Sequence, residues 1–324
     1  MNIAFAGFRH SHILVLYNMI KETEGFNILG AFEQNDAARE EAKKAGVVFN
    51  YASYEELLSD KNIEAVAIGD VYASRGALAI SALKAGKHVI CDKPLCTSLS
   101  ELDEIERLSE EKGLAVSLML TMRYEGICRA AKSCMAEIGE VKSVYFGGQH
   151  PLMYESRPKW YFEDGKHGGL INDLAIHGID LVYYLCGQRI KNINAARCYN
   201  AYAVNEKNFA DSGQFMAELE NGAGLIADVS YSVPDSVNYS LPFYWQFYIW
   251  GERGVISFSA NSESVTLFKN DSAQVINVSA ESVPVNYAED FLLLVGGKKP
   301  QLTTKEVILS ARDTLEIQKF SEIF

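Results

Sequence analysis

Short apolar runs alternate with helix-like stretches through the first part of this 324-residue chain. From residue 2 to about residue 119 the runs read NIAFAG, FNILGAF, IEAVAIG, KHVIC and LAVSLML. Short buried strands that alternate with helices are typical of βαβ units, because parallel strands need a crossover connection that is usually helical. The alternation therefore predicts a doubly wound α/β domain built on a parallel sheet, with right-handed crossovers.

The sequence pattern changes after about residue 120. Runs with strand alternation follow one another closely there, and they read SGQFMAELE, GAGLIADVSYS, FYWQFYIWG, GVISFSA and SVTLFK. Consecutive strands joined by short turns favour an antiparallel sheet. The sequence thus predicts a doubly wound domain over residues 1–120, followed by an α+β domain over residues 121–324 with a largely antiparallel, open sheet. Thr303 and Glu306 have the spacing of a capping box and predict the start of a last helix.

Composition narrows the classes of partner. With 48% hydrophobic and 22% charged residues, the chain has the composition of a soluble globular protein. No apolar run approaches the roughly 18 residues of a membrane span, and no signal peptide is visible, so we expect a cytoplasmic protein without a membrane partner. The net charge of −12 repels phosphate backbones, so we expect no nucleic acid partner. The six cysteines form no C-x-x-C pair and are expected to be reduced.

The loop AGFRHSH, residues 6–12, follows the first predicted strand. Gly7 fills the first place of a dinucleotide-binding G-x-G-x-x-G turn, but Arg9 and His12 stand where the other two glycines belong. A helix that starts here still offers free N–H groups to a phosphate, and Arg9 can pair with a phosphate directly. The same residues also fit a purely local role at the start of a helix.

His10 and His12 form an H-x-H pair, which is typical of some metallohydrolases. A metal site of that kind needs further ligands at later strand ends. Later runs of the first domain end in Asp70 and in Cys91-Asp92 rather than in a series of histidines. The sequence therefore favours no metal at this loop, and a metallohydrolase is the least favoured interpretation.

An acidic residue ends the second strand, in the sequence GAFEQND. Glu33 stands 26 residues after Gly7, where an acid can accept hydrogen bonds from the ribose of a dinucleotide and repels a 2′-phosphate. The sequence therefore predicts NAD rather than NADP as the coenzyme.

Lys93 lies directly after the run KHVIC and before Pro94. Proline biases the residue before it toward extended backbone, so Lys93 is expected at the strand end, where such sheets bind their ligands. An ammonium held there can polarise a hydroxyl or carbonyl group of a substrate. The alternative is a solvated surface lysine.

Asp173 and His177 are four residues apart in the predicted helix from about Leu170 to Leu185, so they share one face. Histidine takes and gives protons near neutral pH, and a carboxylate one turn away can orient it. Gly168 and Gly169 precede the pair and permit a close approach of the helix start to a ligand. Asp180, on the adjacent edge, fits a structural role equally well.

These motifs, in this order and together with the tripeptide MRY, resemble the Gfo/Idh/MocA family of nicotinamide-dependent oxidoreductases over essentially the whole chain. Asp92-Lys93-Pro94 stands where the family has Glu-Lys-Pro, and the pair Asp173 and His177 matches its D-x-x-x-H helix. The resemblance implies a Rossmann-type dinucleotide-binding domain and a second domain for substrate binding and oligomerisation. It implies hydride transfer between NAD and a secondary alcohol of a sugar, cyclitol or related molecule.

The resemblance also implies roles for individual residues. His177 is the base toward the hydroxyl, Lys93 hydrogen-bonds the same oxygen, and Asp173 places substrate and imidazole. The residues expected beside the coenzyme are Gly7, Phe8, Arg9, His10, Glu33, Asp70, Arg75 and Asp92. Asp70 and Arg75 depart from the family pattern, and one hypothesis is that Arg75 or Arg9 neutralises Asp70 together with the coenzyme's pyrophosphate.

Aromatic and hydrogen-bonding residues of the second domain suit the wall of a sugar pocket. The candidates are Arg123, Tyr124, His150, Trp160 and Asn172, with core packing as the alternative for Tyr124 and Trp160. The run FYWQFYIW would be unusually apolar if it faced solvent, so we expect a homo-oligomer that uses the second sheet. A catalytically silent relative that binds a small molecule stays open as the alternative function.

Overall fold

A computed structural model describes residues 1–284 and 286–321, and the chain forms two compact units. Unit 1 comprises Met1–Met119, Pro158–Gly168 and Asn286–Arg312, and unit 2 comprises Leu120–Arg157, Gly169–Val285 and Asp313–Phe324. Each unit is therefore assembled from three segments of the chain. The predicted cut between two folding domains at residue 120 stays a prediction, since two later segments join unit 1.

Unit 1 contains a parallel sheet whose strands alternate with helices. In chain order the elements are β1 (Asn2–Ala6), α1 (His12–Glu22), β2 (Asn27–Phe32), α2 (Asp36–Lys44), α3 (Tyr54–Ser59), β3 (Ala65–Ile68), α4 (Tyr72–Lys84), β4 (His88–Cys91), α5 (Leu99–Lys112) and β5 (Val116–Leu118). The strand order is β2-β1-β3-β4-β5, and every pairing is parallel. The predicted doubly wound parallel sheet is confirmed.

The central strand β3 of this sheet is buried along its whole length. Every residue of β3, with the sequence AVAI, is buried, as expected for a strand that is covered on both faces. The chain leaves β1 toward β2 on one side and reaches β3 on the other side. Sheets of this kind bind ligands outside the carboxyl ends of the strands at such a reversal of order, so the ends of β1 and β3 are the place to look for a site.

Unit 2 contains a mixed sheet with helices. The elements are α6 (Gly126–Ile138), β6 (Val141–Pro151), a π-helical turn (Ile171–Ala175), α7 (Ile176–Cys186), β7 (Ile190–Tyr199), β8 (Ser212–Leu219), β9 (Gly224–Val233), β10 (Gln246–Gly251), β11 (Gly254–Ser259), β12 (Ser264–Lys269) and β13 (Ser272–Ser279). The strand order is β13-β12-β11-β10-β6-β9-β8-β7. The β6–β9 pair is parallel and the others are antiparallel, which confirms a largely antiparallel, open sheet.

Strand β10 is shorter than the apolar run that predicted it. Trp245 has φ of +50°, a left-handed conformation that ends the extended segment, so the strand begins at Gln246. Within β10 the residues alternate, with Phe247 and Ile249 buried. Tyr248 and Trp250 point to the opposite face and are each 39% exposed. One face of the sheet therefore carries the core of unit 2, and the other presents aromatic side chains.

Two helices follow the second sheet, α8 (Tyr287–Val295) and α9 (Thr304–Ser321). The predicted capping box at the start of α9 is confirmed. The Thr303 hydroxyl accepts the Glu306 N–H at 3.2 Å, and the Glu306 carboxylate accepts the Thr303 N–H at 2.8 Å. Over the residues that the structure describes, no helix has the length and apolar character of a membrane span.

Candidate functional site

The carboxyl ends of β1 and β3 approach each other closely at Gly7. Gly7 has φ of +81°, and a Cβ atom built there would lie 2.5 Å from the Cβ of Asp70. Both facts require glycine, since other residues rarely adopt this conformation and a side chain would collide with the end of β3. Gly7 thus makes the tight turn that the first glycine of a dinucleotide-binding loop makes.

Glu33 lies at the tip of β2, as predicted, and turns toward the same loop. Its carboxylate accepts the N–H groups of Phe8 at 2.5 Å and of Asn35 at 2.7 Å. Burial raises the pKa of Glu33, and these two hydrogen bonds partly offset that rise. A tight glycine turn beside an acid at the second strand end fits the adenosine half of a dinucleotide. The contact with ribose stays a prediction.

The other loop residues contribute in different ways. The Phe8 ring is buried and packs against Phe49, with ring centroids 5.3 Å apart. Arg9 is partly exposed, and its carbonyl accepts the Trp160 indole N–H at 3.2 Å. Trp160 was predicted as a substrate residue of the second domain, but it lies in unit 1, where it packs on Tyr72 and the loop.

His10 belongs to a buried chain of polar groups. Its Nδ1 lies 2.5 Å from the Asp92 carboxylate, and its Nε2 lies 3.3 Å from the Tyr72 hydroxyl. The Tyr72 hydroxyl is 2.6 Å from that of Tyr161. Burial lowers the pKa of His10 to about 3, although the Asp92 charge opposes that shift, so the imidazole is neutral at pH 7.

Arg75 carries the charge that balances Asp92. Its guanidinium donates to the Asp92 carboxylate at 2.8 Å and to the backbone oxygens of Asp70, Asp92 and Lys93. Burial alone would raise the pKa of Asp92, but Arg75 and His10 hold it well below its usual range. The carboxylate is therefore ionised and internal.

Two of the predicted coenzyme residues, Arg75 and Asp92, are bound to each other. Both are 0% exposed, and their contact with a coenzyme stays a prediction. The hypothesis that Arg75 neutralises Asp70 is wrong, because the carboxylate bound to Arg75 is that of Asp92. Asp70 instead accepts the N–H of Val71 at 2.6 Å, directly beside Gly7.

Lys93 follows β4, as predicted from Pro94, and it is buried rather than a solvated surface lysine. Its carbonyl accepts a hydrogen bond from Arg75 at 2.5 Å. The buried pair of Arg75 and Asp92 therefore fixes the backbone on which this amine stands. Its action on a substrate stays a prediction.

In unit 2, Asp173 and His177 lie close to one another in the chain but in different kinds of helix. Asp173 stands in the π-helical turn, and His177 stands in the first turn of α7. The Tyr231 hydroxyl donates to the Asp173 carboxylate, and both residues are buried. π-Helical turns recur at functional sites, because the extra residue changes the direction of the side chains. Tyr231 therefore fixes the carboxylate that lies four positions before His177, the predicted proton-transfer residue.

Aromatic rings surround the histidines of unit 2. The His177 ring centroid is 5.8 Å from that of Trp245, which in turn lies 5.5 Å from the His150 ring. The Tyr244 hydroxyl is 2.9 Å from His150 Nε2, and the ring of Tyr231 lies 6.3 Å from that of His150. His150, predicted as a pocket residue, and His177 thus share Trp245 as a neighbour. We call the following residues the unit 2 cluster: Asp173, His177, His150, Tyr231, Tyr244 and Trp245.

Arg123, predicted as a substrate residue, forms an ion pair inside unit 2. It is 0% exposed, and its guanidinium makes two hydrogen bonds to Asp180, at 3.0 and 2.5 Å. Tyr124 and Asn172 are also buried, and the substrate roles of all three residues stay predictions.

Gly169, before α7, makes a close approach to α9. A Cβ atom at Gly169 would lie 2.1 Å from the side chain of Gln318, whose oxygen accepts the Ile171 N–H at 2.9 Å. The predicted approach of these glycines to a ligand stays a prediction.

Sequence reasoning missed three members of the unit 2 cluster, and it missed Glu125, whose charge acts on Tyr244. Tyr231, Tyr244 and Trp245 lie in or next to strands, where aromatic residues are ordinary core components and give no signal of their own. Glu125 follows the MRY tripeptide, and burial raises its pKa to about 7. A carboxyl group that titrates near neutrality is typical of functional sites, but its burial cannot be read from the sequence.

Two family models match the chain. The model "Oxidoreductase family, NAD-binding Rossmann fold" matches residues 1–120, and "GFO/IDH/MocA C-terminal domain" matches residues 129–257. A myo-inositol 2-dehydrogenase of Thermotoga maritima is 30% identical over 50% of this chain and 48% of its own length. A trans-1,2-dihydrobenzene-1,2-diol dehydrogenase of Bos taurus is 28% identical over 60% of this chain and 58% of its own. The aligned part of the chain thus spans about half the length of these curated relatives.

A solved structure supports the same fold over the full chain. Levoglucosan dehydrogenase in complex with NADH and levoglucosan has a TM-score of 0.81 and 20% sequence identity. The alignment covers 100% of this chain and 97% of that one. At this identity the similarity establishes the fold alone.

Proposed function

The chain belongs to the Gfo/Idh/MocA family of oxidoreductases, as its motifs predicted, and from this premise we propose that it is an NAD-dependent dehydrogenase. The proposed substrate is a secondary alcohol, or the corresponding ketone, of a sugar, cyclitol or related polyhydroxylated molecule. Similarity to an inositol dehydrogenase and a diol dehydrogenase supports this substrate class. The observation that carries the proposal is the buried Asp173, which accepts a hydrogen bond from Tyr231 and lies four positions before His177, whose ring lies 5.8 Å from that of Trp245.

Proton handling is the part of the reaction that falls to the protein. The bound coenzyme would accept or return the hydride at C4 of its nicotinamide ring. In the oxidising direction His177 takes the proton of the substrate hydroxyl, and Lys93 donates a hydrogen bond to the same oxygen. Asp173 orients the substrate and the imidazole, and Tyr231 fixes Asp173. In the reducing direction His177 returns the proton.

NAD rather than NADP is the proposed coenzyme. The NAD(P)-binding Rossmann domain is established by the family, and the choice between the coenzymes rests on Glu33. Its carboxylate stands at the end of β2 beside the Phe8 N–H, where a 2′-phosphate would meet a negative charge. The charge of Arg9 lowers the pKa of Glu33 slightly against the rise caused by burial, which favours the ionised carboxylate.

Calorimetric titration and a spectroscopic assay test the proposal together. We expect heat on titration with NAD, and tighter binding of NAD than of NADP by about tenfold, since about 1.4 kcal/mol of like-charge repulsion gives that ratio. Glu33→Gln should bring the two affinities closer. Absorbance at the reduced-nicotinamide band, with a panel of sugars and inositols, should then identify a substrate. Absence of heat with either coenzyme would instead favour the catalytically silent relative.

We propose that the chain forms a homo-oligomer through the second sheet. The face opposite the core of unit 2 presents apolar side chains that are 39–50% exposed, among them Met216, Ile226, Tyr248 and Trp250. Contiguous apolar surface of this kind is typical of subunit interfaces. Light scattering at micromolar concentration should give a multiple of 36.0 kDa. A mass of one chain, or an unchanged mass in the Trp250→Glu variant, would contradict this interface.

A further inference from the structure

Three side chains with metal-ligating atoms converge at the carboxyl ends of β1 and β4. One nitrogen each of His10 and His12 and one carboxylate oxygen of Asp92 all lie within 4.8 Å of one another. We infer that these three residues bind a divalent transition metal ion, with Zn²⁺ as the best match. The sequence alone favoured no metal here, because only the fold brings Asp92 beside the H-x-H pair.

The distances suit tetrahedral coordination. His12 Nδ1 lies 3.5 Å from Asp92 Oδ1. Bonds of 2.0–2.2 Å to zinc place neighbouring tetrahedral ligand atoms about 3.4 Å apart. His10 Nδ1 is 2.5 Å from Asp92 Oδ2, so an ion bound by His10 Nδ1 replaces the proton of this hydrogen bond. Asp92 Oδ2 keeps its hydrogen bond to Arg75, which leaves Oδ1 for the metal.

A weakly satisfied oxygen points at the same place. Asp92 is 0% exposed, and within residues 1–284 and 286–321 its Oδ1 makes no hydrogen bond of ordinary geometry, with His12 Nδ1 at 3.5 Å. Buried polar atoms are nearly always paired, and this long contact leaves the oxygen only weakly satisfied. A bound cation gives the oxygen a close partner.

The surroundings of His10 suit a ligand in an ordered site. A neutral imidazole that ligates through Nδ1 carries its proton on Nε2, which lies 3.3 Å from the Tyr72 hydroxyl. Tyr72 in turn contacts the Tyr161 hydroxyl at 2.6 Å. Such outer partners orient ligating histidines and are a regular part of metal sites.

The ligand set decides the class of ion. Two imidazoles and one carboxylate suit Zn²⁺ and the neighbouring transition metals, whereas Mg²⁺ and Ca²⁺ prefer oxygen ligands alone. The His12 side chain is 46% exposed, so the ion is reached from that side and can keep a water there. The charge of Arg75 cancels that of Asp92, and we therefore expect micromolar rather than nanomolar affinity.

Titration of the tag-free, EDTA-treated and dialysed full chain with ZnCl₂ tests the inference, in the absence of coenzyme and substrate. We expect one bound Zn²⁺ per chain, and with Co²⁺ the visible absorption bands of a four-coordinate site. His12→Gln removes one ligand from a half-exposed position and should lower the affinity by about 10–100-fold or more, the range that even outer partners reach.

His88→Gln is the matched control. His88 lies at the other end of β4, where its Nδ1 accepts the Ala115 N–H at 2.9 Å, so its loss should leave zinc affinity unchanged. Absence of zinc binding, or equal affinity in the wild-type chain and His12→Gln, would overturn the inference. Because the ion is titrated alone, that result would leave the proposed dehydrogenase untouched.

Discussion

The His177→Gln variant is expected to lower kcat of the proposed dehydrogenase by about a hundredfold to ten-thousandfold, the usual contribution of a positioned general base. Glutamine keeps a hydrogen-bonding group near the aromatic ring of Trp245, 5.8 Å from the His177 ring, but it cannot take a proton. Affinity for NAD should stay unchanged, because the proposed partner of His177 is the substrate hydroxyl and not the coenzyme. Steady-state kinetics on the identified substrate and NAD calorimetry measure the two quantities separately.

The pH profile distinguishes loss of a base from loss of packing. If His177 is the base, the wild-type rate of oxidation falls on the acid side as the imidazole gains its proton, and His177→Gln lacks that limb. His88→Gln, outside the unit 2 cluster, should keep both the rate and the profile. A kcat of His177→Gln within a few-fold of wild type would rule out the proposed role. A reduced rate that keeps the acid limb would assign the proton transfer to another group.

Glu125 is a second group whose change of charge can shape the dependence of the rate on pH. Burial raises its pKa to about 7, so it changes charge in the same pH range as an ordinary histidine. Its charge contributes to the shifts in pKa of Tyr244 and Cys128, which places it electrostatically close to the unit 2 cluster. Comparing the pH profiles of His177→Gln and Glu125→Gln therefore assigns the fall of the rate at low pH either to the His177 imidazole or to the Glu125 carboxyl.

Local patterns predicted the parts of the fold that depend on neighbours in the sequence. The helix start at Thr303 and Glu306 uses groups three residues apart, and the structure shows both of its hydrogen bonds. The buried run AVAI became the central strand β3 because its composition suits a strand covered on both faces. The strand β13, by contrast, was missed, because its residues are mostly exposed and give no apolar alternation.

The candidate site was predicted less completely, because its pairings join distant residues. Arg75 and Asp92 are 17 positions apart, and Tyr231 and Asp173 are 58 positions apart. The sequence around a charged or hydroxyl side chain does not indicate which distant residue it will bind in the folded protein. Arg123 is an example, since its neighbours in the sequence give no sign that it binds Asp180, 57 positions away. The structure therefore adds the partners of these residues, while their roles toward a substrate stay predictions.

The Arg75→Met variant is expected to destabilise the protein by about 3–5 kcal/mol, the usual cost of removing one partner of a buried ion pair. Methionine preserves much of the side-chain length but leaves the Asp92 carboxylate, 0% exposed, without its counter-charge. It also removes the hydrogen bonds to the backbone oxygens of Asp70, Asp92 and Lys93. Urea unfolding at pH 7 with EDTA present, followed by circular dichroism, measures the loss.

Arg107→Met is the matched control, because Arg107 bonds Glu104 and Glu111 on the exposed face of α5. Exposed ion pairs contribute little, so this variant should unfold at nearly the wild-type urea concentration. The double variant Arg75→Met with Asp92→Leu removes both charges and should regain part of the loss, since an apolar pair has no unpaired charge to bury. If Arg75→Met were no less stable than Arg107→Met, Asp92 would have to be neutral in the native state. The Arg75–Asp92 ion pair would then not be the interaction that holds the backbone of Lys93 in place.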